Sequence, residues 1–231
     1  MEKHEEYRLN TIDSIGRLPL SEQVYVTLKQ AILTGALKPQ VKLNEVKIAE
    51  QLNVSATPVR EAFRKLAKDN LVVIKPWKGV TVKGYTPEEI IAMYQCREMM
   101  EGLGARLCAE NCTEEQIEEL QSICDAGIAS SSPEDRVQIN SRFHSLISFF
   151  SGNERVVDYL AEFREMVNRD MYISTLDKGR TDLCDREHME IMDAIRAHDP
   201  ERAEQAMRKH IRNAFVFKKA HADLRAKRFG E

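Results

Sequence analysis

Basic side chains recur at helical spacing in the segment SATPVREAFRKLAK, residues 55–68. At about 100° per residue, one polar and three basic side chains fall within about 80° of one helix face: Thr57, Arg60, Arg64 and Lys68. The apolar residues of the segment fall on the opposite face. Arginine can donate two parallel hydrogen bonds to a phosphate or to guanine O6 and N7, so this face suits a nucleic acid. Any amphipathic helix also turns its charges to water, so the face alone leaves both interpretations open.

Three of the six histidines lie in helical segments and could bind a metal ion together. His144 follows Asn140 by four residues, so both side chains project from one helix face, whereas His188 and His210 lie on later helices. Imidazoles from separate helices that converge in a bundle can hold a divalent cation. The alternative is that each is a surface histidine or a structural one in the core, because sequence alone does not show convergence.

The elements around the basic helix predict a helix-turn-helix. Apolar residues at helical spacing from Leu20 predict a first helix, and residues 44–52 predict a short second helix that Asn53 ends. Ser55 is the expected N-cap of the third helix. The two β-branched runs in residues 71–82 predict a hairpin. In a helix-turn-helix, the second of the paired helices enters the DNA major groove with its N-terminus first.

That geometry assigns roles to the basic residues. Thr57 and Arg60 would lie closest to base edges, and Arg60 is the leading candidate for binding a guanine. Arg64 could reach a base or a phosphate. The residues expected to contact only phosphate are Lys68, Lys75 and Lys78. Backbone amides at Ser55 and around Gly79 are further candidate phosphate donors.

Helical patterns fill the chain after Lys83-Gly84-Tyr85-Thr86-Pro87, which we interpret as a hinge. The predicted helices span residues 87–110, 113–130, 133–151, 153–176, 179–198 and 200–228. The expected fold class is mainly α, with an N-terminal winged helix-turn-helix that has a small β-hairpin wing and a C-terminal all-α helical bundle of six or seven helices. The expected parts are a flexible N-terminal arm at 1–18, a DNA-binding domain at 19–83 and a helical domain at 84–231.

Composition argues against a membrane-spanning or secreted protein. Hydrophobic residues make up 42% of the 231 residues and charged residues 31%, as in soluble globular proteins. No window approaches the ~18 apolar residues of a membrane span, and MEKHEEYRLN is too polar for a signal peptide, so we expect a cytoplasmic protein. Residues 1–83 carry a net charge of +5 and residues 84–231 of −8, which favours a polyanion partner for the first part only. Five cysteines without a CxxC pair fit reduced thiols.

The run GALKPQVKLNEVKIAEQLNVSATPVREAFRKLAKDNLVV, with KPWKGVTV after it, resembles the winged-helix DNA-binding domain of GntR-family bacterial transcription regulators. The resemblance covers residues 20–82. The recognition-helix contacts that it implies are Ser55, Thr57, Arg60 and Arg64, and it places Gly79 near the minor groove. The sequence departs from the family pattern at Ala56 and around Val46 and Lys47, where arginine is common. The resemblance therefore implies DNA binding with an altered operator sequence.

Residues 87–228 resemble the FCD ligand-binding domain of the FadR subfamily, through Arg97–Glu101, NSRFHSLISFFSGN and the two later histidines. Many such domains bind zinc or nickel through an aspartate and three histidines, beside a small organic acid. The corresponding residues here are Asn140, His144, His188 and His210. Asn140 replaces the aspartate, and its neutral amide oxygen is a poorer ligand for a divalent cation, so the resemblance leaves metal binding open. Arg97 would face the same cavity or pair with Glu101.

These observations predict a DNA-binding transcription regulator rather than an enzyme. The expected partners are double-stranded DNA with a palindromic operator, a small organic acid effector and a second copy of the chain, with no membrane, in the bacterial nucleoid. The expected effector-binding residues are Arg97, Asn140, His144, His188 and His210. One alternative is a metal-dependent enzyme, although the Glu-x-x-His motif of di-iron bundles is absent and no nucleophile motif is present. Another is a DNA-binding protein without an effector, which would lack a cavity.

Overall fold

The computed structural model describes Leu9 and residues 18–221, except for the side chains of residues 165, 166, 170 and 173. These residues form two compact units, and the division falls between Tyr85 and Thr86. The predicted N-terminal arm at 1–18 lies outside the described residues apart from Leu9 and Leu18. No helix in the described part of the chain has both the length and the apolarity that crossing a bilayer requires.

The N-terminal unit contains three helices and three short strands. They are α1 Leu20–Leu33, β1 Lys42–Leu43, α2 Glu45–Leu52, α3 Ala56–Lys68, β2 Val72–Lys75 and β3 Gly79–Val82. Asn44 caps α2 by accepting hydrogen bonds from the amides of Val46 and Lys47 at 3.0 and 3.1 Å. Asn53 ends α2 in the left-handed conformation, at φ 53°. Ser55 precedes α3 as its N-cap residue, but its side chain makes no capping hydrogen bond to the helix.

The strands form an antiparallel sheet in the order β1-β3-β2. The register pairs Lys42 with Thr81 and Val72 with Val82. The predicted hairpin is thus part of a three-stranded sheet, because the two-residue strand β1 is too short to show an alternating pattern. Apolar side chains from the helices and the sheet share one core, among them Val24, Leu28, Ile48, Phe63, Leu66 and Val80.

The C-terminal unit is all-helical, with seven helices among the described residues. They are α4 Pro87–Asn111, α5 Glu114–Ala129, α6 Pro133–Phe150, α7 Glu154–Ala161, α8 Arg164–Thr175, α9 Lys178–Arg196 and α10 Pro200–Ala220. Thr86 begins α4 with a capping box, in which its hydroxyl accepts from the Glu89 amide and the Glu89 carboxylate accepts from the Thr86 amide. The predicted mainly α fold class, with a winged N-terminal unit and a helical bundle, is confirmed.

One predicted helix is wrong. The segment 153–176 forms two helices, α7 and α8, with a turn at residues 162–163 in which the Phe163 amide donates to the Leu160 carbonyl at 3.3 Å. No glycine or proline marks this break. Both helices pack on α6, but α7 also packs on α4 whereas α8 packs on α9 and α10, so tertiary packing overrides the local pattern. In addition, α10 ends at Ala220, and the predicted remainder to 228 lies outside the described residues.

Candidate functional site

The basic face of α3 lies on the surface of the N-terminal unit. The inward residues of α3, Val59, Ala62, Phe63 and Leu66, are all buried in the core. All eight residues predicted to bind DNA are exposed: Ser55, Thr57, Arg60, Arg64, Lys68, Lys75, Lys78 and Gly79. The first five lie on α3 or at its N-cap, and the last three lie on the wing formed by β2, β3 and their connecting turn. This arrangement leaves a cationic helix face accessible to a polyanion.

Arg60 makes a two-point ion pair with Glu45, a residue that sequence reasoning did not assign to the site. Arg60 Nε donates to Glu45 Oε2 at 3.0 Å, and Arg60 Nη2 lies 2.8 Å from Glu45 Oε1. Glu45 is the first residue of α2, so the pair links the two helices of the helix-turn-helix. A two-point contact fixes the plane of the guanidinium, while 61% of the Arg60 side chain stays exposed. The hydrogen bond that Arg60 donates to the Glu45 carboxylate raises the pKa of Arg60 above its ordinary value.

The three candidate metal-binding histidines converge in the C-terminal unit. His144 comes from α6, His188 from α9 and His210 from α10, and their ring centroids lie 4.8 to 5.4 Å apart. One ligand nitrogen of each lies within 4.8 Å of the others. Two nitrogens bound to one zinc ion at about 2.0–2.1 Å in tetrahedral geometry lie roughly 3.4 Å apart. The most distant pair must therefore close by about 1.5 Å or less to share an ion.

Carboxylates hold two of these rings in one tautomer. His144 Nδ1 is hydrogen-bonded to Glu101, and His210 Nδ1 lies 2.8 Å from Glu187 Oε2. An ionised carboxylate only accepts hydrogen bonds, so in the neutral imidazole the proton lies on Nδ1 and Nε2 keeps its lone pair. This is the arrangement of histidines that bind metals through Nε2. His188 Nε2 lies 3.7 Å from Cys184 Sγ.

Two buried arginine side chains in turn donate hydrogen bonds to these carboxylates. Arg97 Nε donates to Glu101 Oε1 at 2.5 Å, and Arg180 Nη1 donates to Glu187 Oε2 at 2.9 Å. Asn213 adds a hydrogen bond of 2.7 Å to Glu187 Oε1. Arg97 thus forms the expected pair with Glu101 and also lines the cleft described below. Sequence reasoning did not assign Glu187 to the site. Its position directly before His188 could have suggested it, because histidines that bind metals often hydrogen-bond to a carboxylate.

Two buried atoms at the cluster lack a hydrogen-bond partner among the described residues: Asn140 Oδ1 and His144 Nε2. Leaving a buried polar atom unpaired costs about 1–3 kcal/mol. Both atoms are lone-pair donors, and both belong to residues that sequence reasoning assigned to the metal. A cation held by the three imidazoles would satisfy His144 Nε2. Asn140 lies one helical turn before His144 on α6 and lines the same cleft, so this donor set fits a divalent metal ion.

Burial keeps two of the imidazoles neutral. It lowers the pKa of His188 well below its ordinary value and the pKa of His210 to about 4. Burial alone raises the pKa of Glu187, but hydrogen bonds from His210 and Asn213 outweigh it and hold that pKa at about 2. Neutral imidazoles beside an ionised carboxylate are in the protonation state that binds a metal.

We expect the metal-free protein to lose stability in mild acid. The unfolded chain takes up a histidine proton near pH 6.5, whereas folded His210 takes it up near pH 4, so the unfolded state binds more protons between these values. The free energy of unfolding should fall by about 3 kcal/mol from pH 7 to pH 4 on account of His210. Below pH 4.5, protonation of Glu187 adds a loss in the same direction.

Urea unfolding at each pH, in the presence of a chelator, measures this dependence. The variant His198→Gln, at an exposed histidine outside the cluster, serves as the control and should keep the wild-type slope. A free energy of unfolding that stays constant between pH 7 and pH 4 would contradict the assignment of His210 as a neutral buried imidazole.

A cleft that is open to solvent lies beside the cluster. Its charged and polar lining comes from Arg97, Glu101, Asn140, His144, Arg164 and three serines, and Leu160, Phe163 and Val167 supply apolar surface. A second, smaller cavity is lined by Asn140 and His188 together with Arg136, Asp185 and Cys184. Of the three histidines, His144 lines the cleft and His188 lines the second cavity, whereas His210 belongs to the lining of neither. The mixed polar and apolar lining of these two sites suits a small ligand.

Comparisons with known proteins agree with both units. Residues 20–82 match the family of bacterial regulatory proteins, gntR family, and residues 92–213 match the FCD domain. The chain is 28% identical over 196 residues to the HTH-type transcriptional repressor RspR of Escherichia coli (strain K12), covering 84% of this chain and 86% of RspR. It is 26% identical over 200 residues to the HTH-type transcriptional regulator YdhC of Bacillus subtilis (strain 168), and the match covers 84% of this chain and 88% of YdhC. E. coli McbR/YncC shares the fold, with a TM-score of 0.70, 22% identity and coverage of 89% of this chain and 99% of that chain.

Proposed function

The chain belongs to the GntR family of bacterial regulatory proteins and carries an FCD domain, and from this premise we propose that a small organic acid, bound beside a divalent metal ion, controls its operator binding. Like the relatives named above, the protein is a DNA-binding transcription regulator and not an enzyme. The proposal concerns the effector, the metal, the DNA-contacting residues and the assembly.

The observation that carries the effector proposal is the pair of unpartnered buried atoms, Asn140 Oδ1 and His144 Nε2, in residues that line the cleft. A divalent ion held by Asn140, His144, His188 and His210 would supply positive charge at the wall of the cleft. Arg97 and Arg164 also belong to the lining of this cleft. This lining favours an organic anion with a carboxylate.

On the DNA side, we propose a homodimer whose two N-terminal units bind the half-sites of a palindromic operator in the bacterial nucleoid. Thr57 and Arg60 would contact base edges, with Glu45 orienting the Arg60 guanidinium. Arg64 would contact a base or a phosphate. The proposed phosphate donors are Ser55, Lys68, Lys75, Lys78 and Gly79, all exposed. An effector changes operator affinity only if it binds the DNA-competent and DNA-incompetent arrangements with different affinities.

Selection of bound fragments from genomic DNA, followed by effector screening, tests the proposal. The recovered operator should bind the wild-type protein, and at least one small carboxylic acid should shift the operator dissociation constant about 5-fold or more when zinc or nickel is present. If no acid shifts the constant with either metal, the protein is an effector-independent DNA binder and the proposed control is wrong. If no fragment is recovered, the DNA-contacting assignment fails as well.

We expect Lys78→Ala to weaken binding to all DNA sequences equally. A lysine that contacts only phosphate contributes through counterion release, so the slope of log affinity against log salt should fall in magnitude by about 1. Titrations of a random-sequence duplex over a salt series measure the slope. The control is Lys178→Ala, at a lysine of the helical unit whose side chain is 88% exposed, which should leave the slope unchanged. An unchanged slope in Lys78→Ala would remove Lys78 from the DNA contact.

A further inference from the structure

Trp77 stands fully exposed at the tip of the wing and is the single tryptophan of the sequence. It lies in the turn between β2 and β3, where the Lys78 amide donates to the Lys75 carbonyl at 3.1 Å. Pro76 occupies the second position of this four-residue turn and Trp77 the third, with φ 62°. A turn with positive φ at the third position is type II, for which glycine or asparagine is the usual residue.

Neither the fold nor the surface accounts for an indole at this position. A bulky side chain is disfavoured at positive φ, and asparagine would satisfy the turn with less strain. Full exposure also means that the ring is not buried against the described residues of its unit. A large aromatic side chain that is strained and unburied points to a partner outside the chain.

The surroundings of Trp77 indicate the chemistry of that partner. Residues 70–83 contain no aspartate or glutamate, and Lys75 and Lys78 flank the tip with exposed side chains. A flat apolar ring between two ammonium groups suits a polyanion that also offers apolar sugars and base edges. Duplex DNA has this combination in its minor groove, where proteins insert apolar side chains between phosphate contacts.

We propose that the Trp77 indole enters the minor groove beside the major-groove site of α3 and packs against deoxyribose and base edges, while Lys75 and Lys78 contact the flanking phosphates. This inference rests on the proposed DNA interface and adds an apolar anchor to it. The contact makes no base-specific hydrogen bond and lies largely against sugar, so it contributes to binding of operator and of random DNA alike.

Intrinsic fluorescence tests the proposal directly, because the emission of this chain's single tryptophan reports the wing tip alone. The probe is a random-sequence duplex of about 30 base pairs, long enough for two half-sites one helical turn apart, used at low salt. We expect the emission of Trp77 to be quenched in step with binding, which anisotropy of the labelled duplex follows independently. Without DNA, the emission should not depend on protein concentration.

The variant Trp77→Asn separates binding from folding. It removes the ring but suits the positive φ, so its melting temperature should equal or exceed that of the wild type. Its affinity for the duplex should fall about 10-fold, within the range measured for loss of aromatic contacts to nucleic acids. Trp77→Phe should recover most of the affinity. The control Phe149→Ala, at an exposed aromatic residue of the helical unit, should bind DNA like the wild type.

The outcomes distinguish this inference from the proposed function. If the labelled duplex binds but the Trp77 emission is unchanged and Trp77→Asn binds equally well, the minor-groove contact is wrong and the DNA-binding function stands. If the emission changes with protein concentration alone, Trp77 contacts another protein copy and the inference is overturned. If wild-type protein binds neither random DNA nor a selected operator, the proposed interface itself fails.

Discussion

Replacing Arg60 with alanine should abolish the preference of the protein for its operator over random DNA. A two-point arginine–guanine contact discriminates by about 1–3 kcal/mol, and a homodimer makes the contact twice, so the preference should fall about 30-fold or more. The folded structure should be unaffected, because the Arg60 side chain is 61% exposed and its ion pair with Glu45 lies at the surface. Competition binding between the selected operator and a scrambled duplex measures the preference, and circular dichroism checks the helical content.

Two further variants make this experiment specific. Arg142→Ala removes an exposed arginine of the helical unit, 64% exposed, and should leave operator preference intact. Glu45→Gln removes the carboxylate that fixes the Arg60 guanidinium. It should strengthen binding to random DNA, because a negative charge is lost, while operator preference falls. Full preference in Arg60→Ala would show that another residue reads the operator.

Removal of the metal should lower the melting temperature of the protein by about 10 °C. A ligand at about 1,000 times its dissociation constant stabilises the folded state by about 4 kcal/mol, and 1 kcal/mol shifts the melting temperature by roughly 2–4 °C for a chain of this size. We expect protein purified without chelator to contain about one zinc or nickel ion per chain, since the histidine cluster provides one site. Elemental analysis and thermal unfolding before and after chelation measure both effects.

Substitutions at the cluster provide the controls. His188→Ala should contain negligible metal and show no melting shift on chelation. Asn140→Asp should bind metal more tightly than the wild type, because it replaces a neutral oxygen ligand with a charged one. His198→Gln lies outside the cluster and should keep the wild-type content. Equal and negligible metal in the wild type and in His188→Ala would mean that the histidines are structural.

Local patterns in the sequence predicted most of the elements. Helix starts at Thr86, Pro133 and Pro200 were readable because caps and N-terminal prolines act within a few residues. The amphipathic pattern of α3 was readable for the same reason. By contrast, the break between α7 and α8 depends on packing against neighbouring helices, and strand β1 exists only through its pairing with β3.

The candidate sites show the same division between local and long-range information. The side chains on the basic face of α3 follow from spacing alone, but the Glu45–Arg60 pair joins residues fifteen positions apart on two helices. The convergence of His144, His188 and His210 depends on the arrangement of three helices, and spacing in the sequence does not contain it. The residue types and helical patterns in the sequence supplied the candidate residues and a family resemblance supported them, whereas Glu187 emerged only from the packed structure.

Helix α4 connects two features that lie far apart along it. Its capping box at Thr86 stands at the division between the two units, and Glu101, which holds His144, lies fifteen residues on, about 22 Å along the axis. Residues 88–101 contain no glycine or proline, so this stretch is a stiff rod. The N-terminal end of the same helix follows directly on the division between the units, so a ligand that displaced Glu101 would act on a rigid element that begins there. Flexible residues inserted after Thr86 would separate α4 from the N-terminal unit without changing the histidine cluster or the basic face of α3.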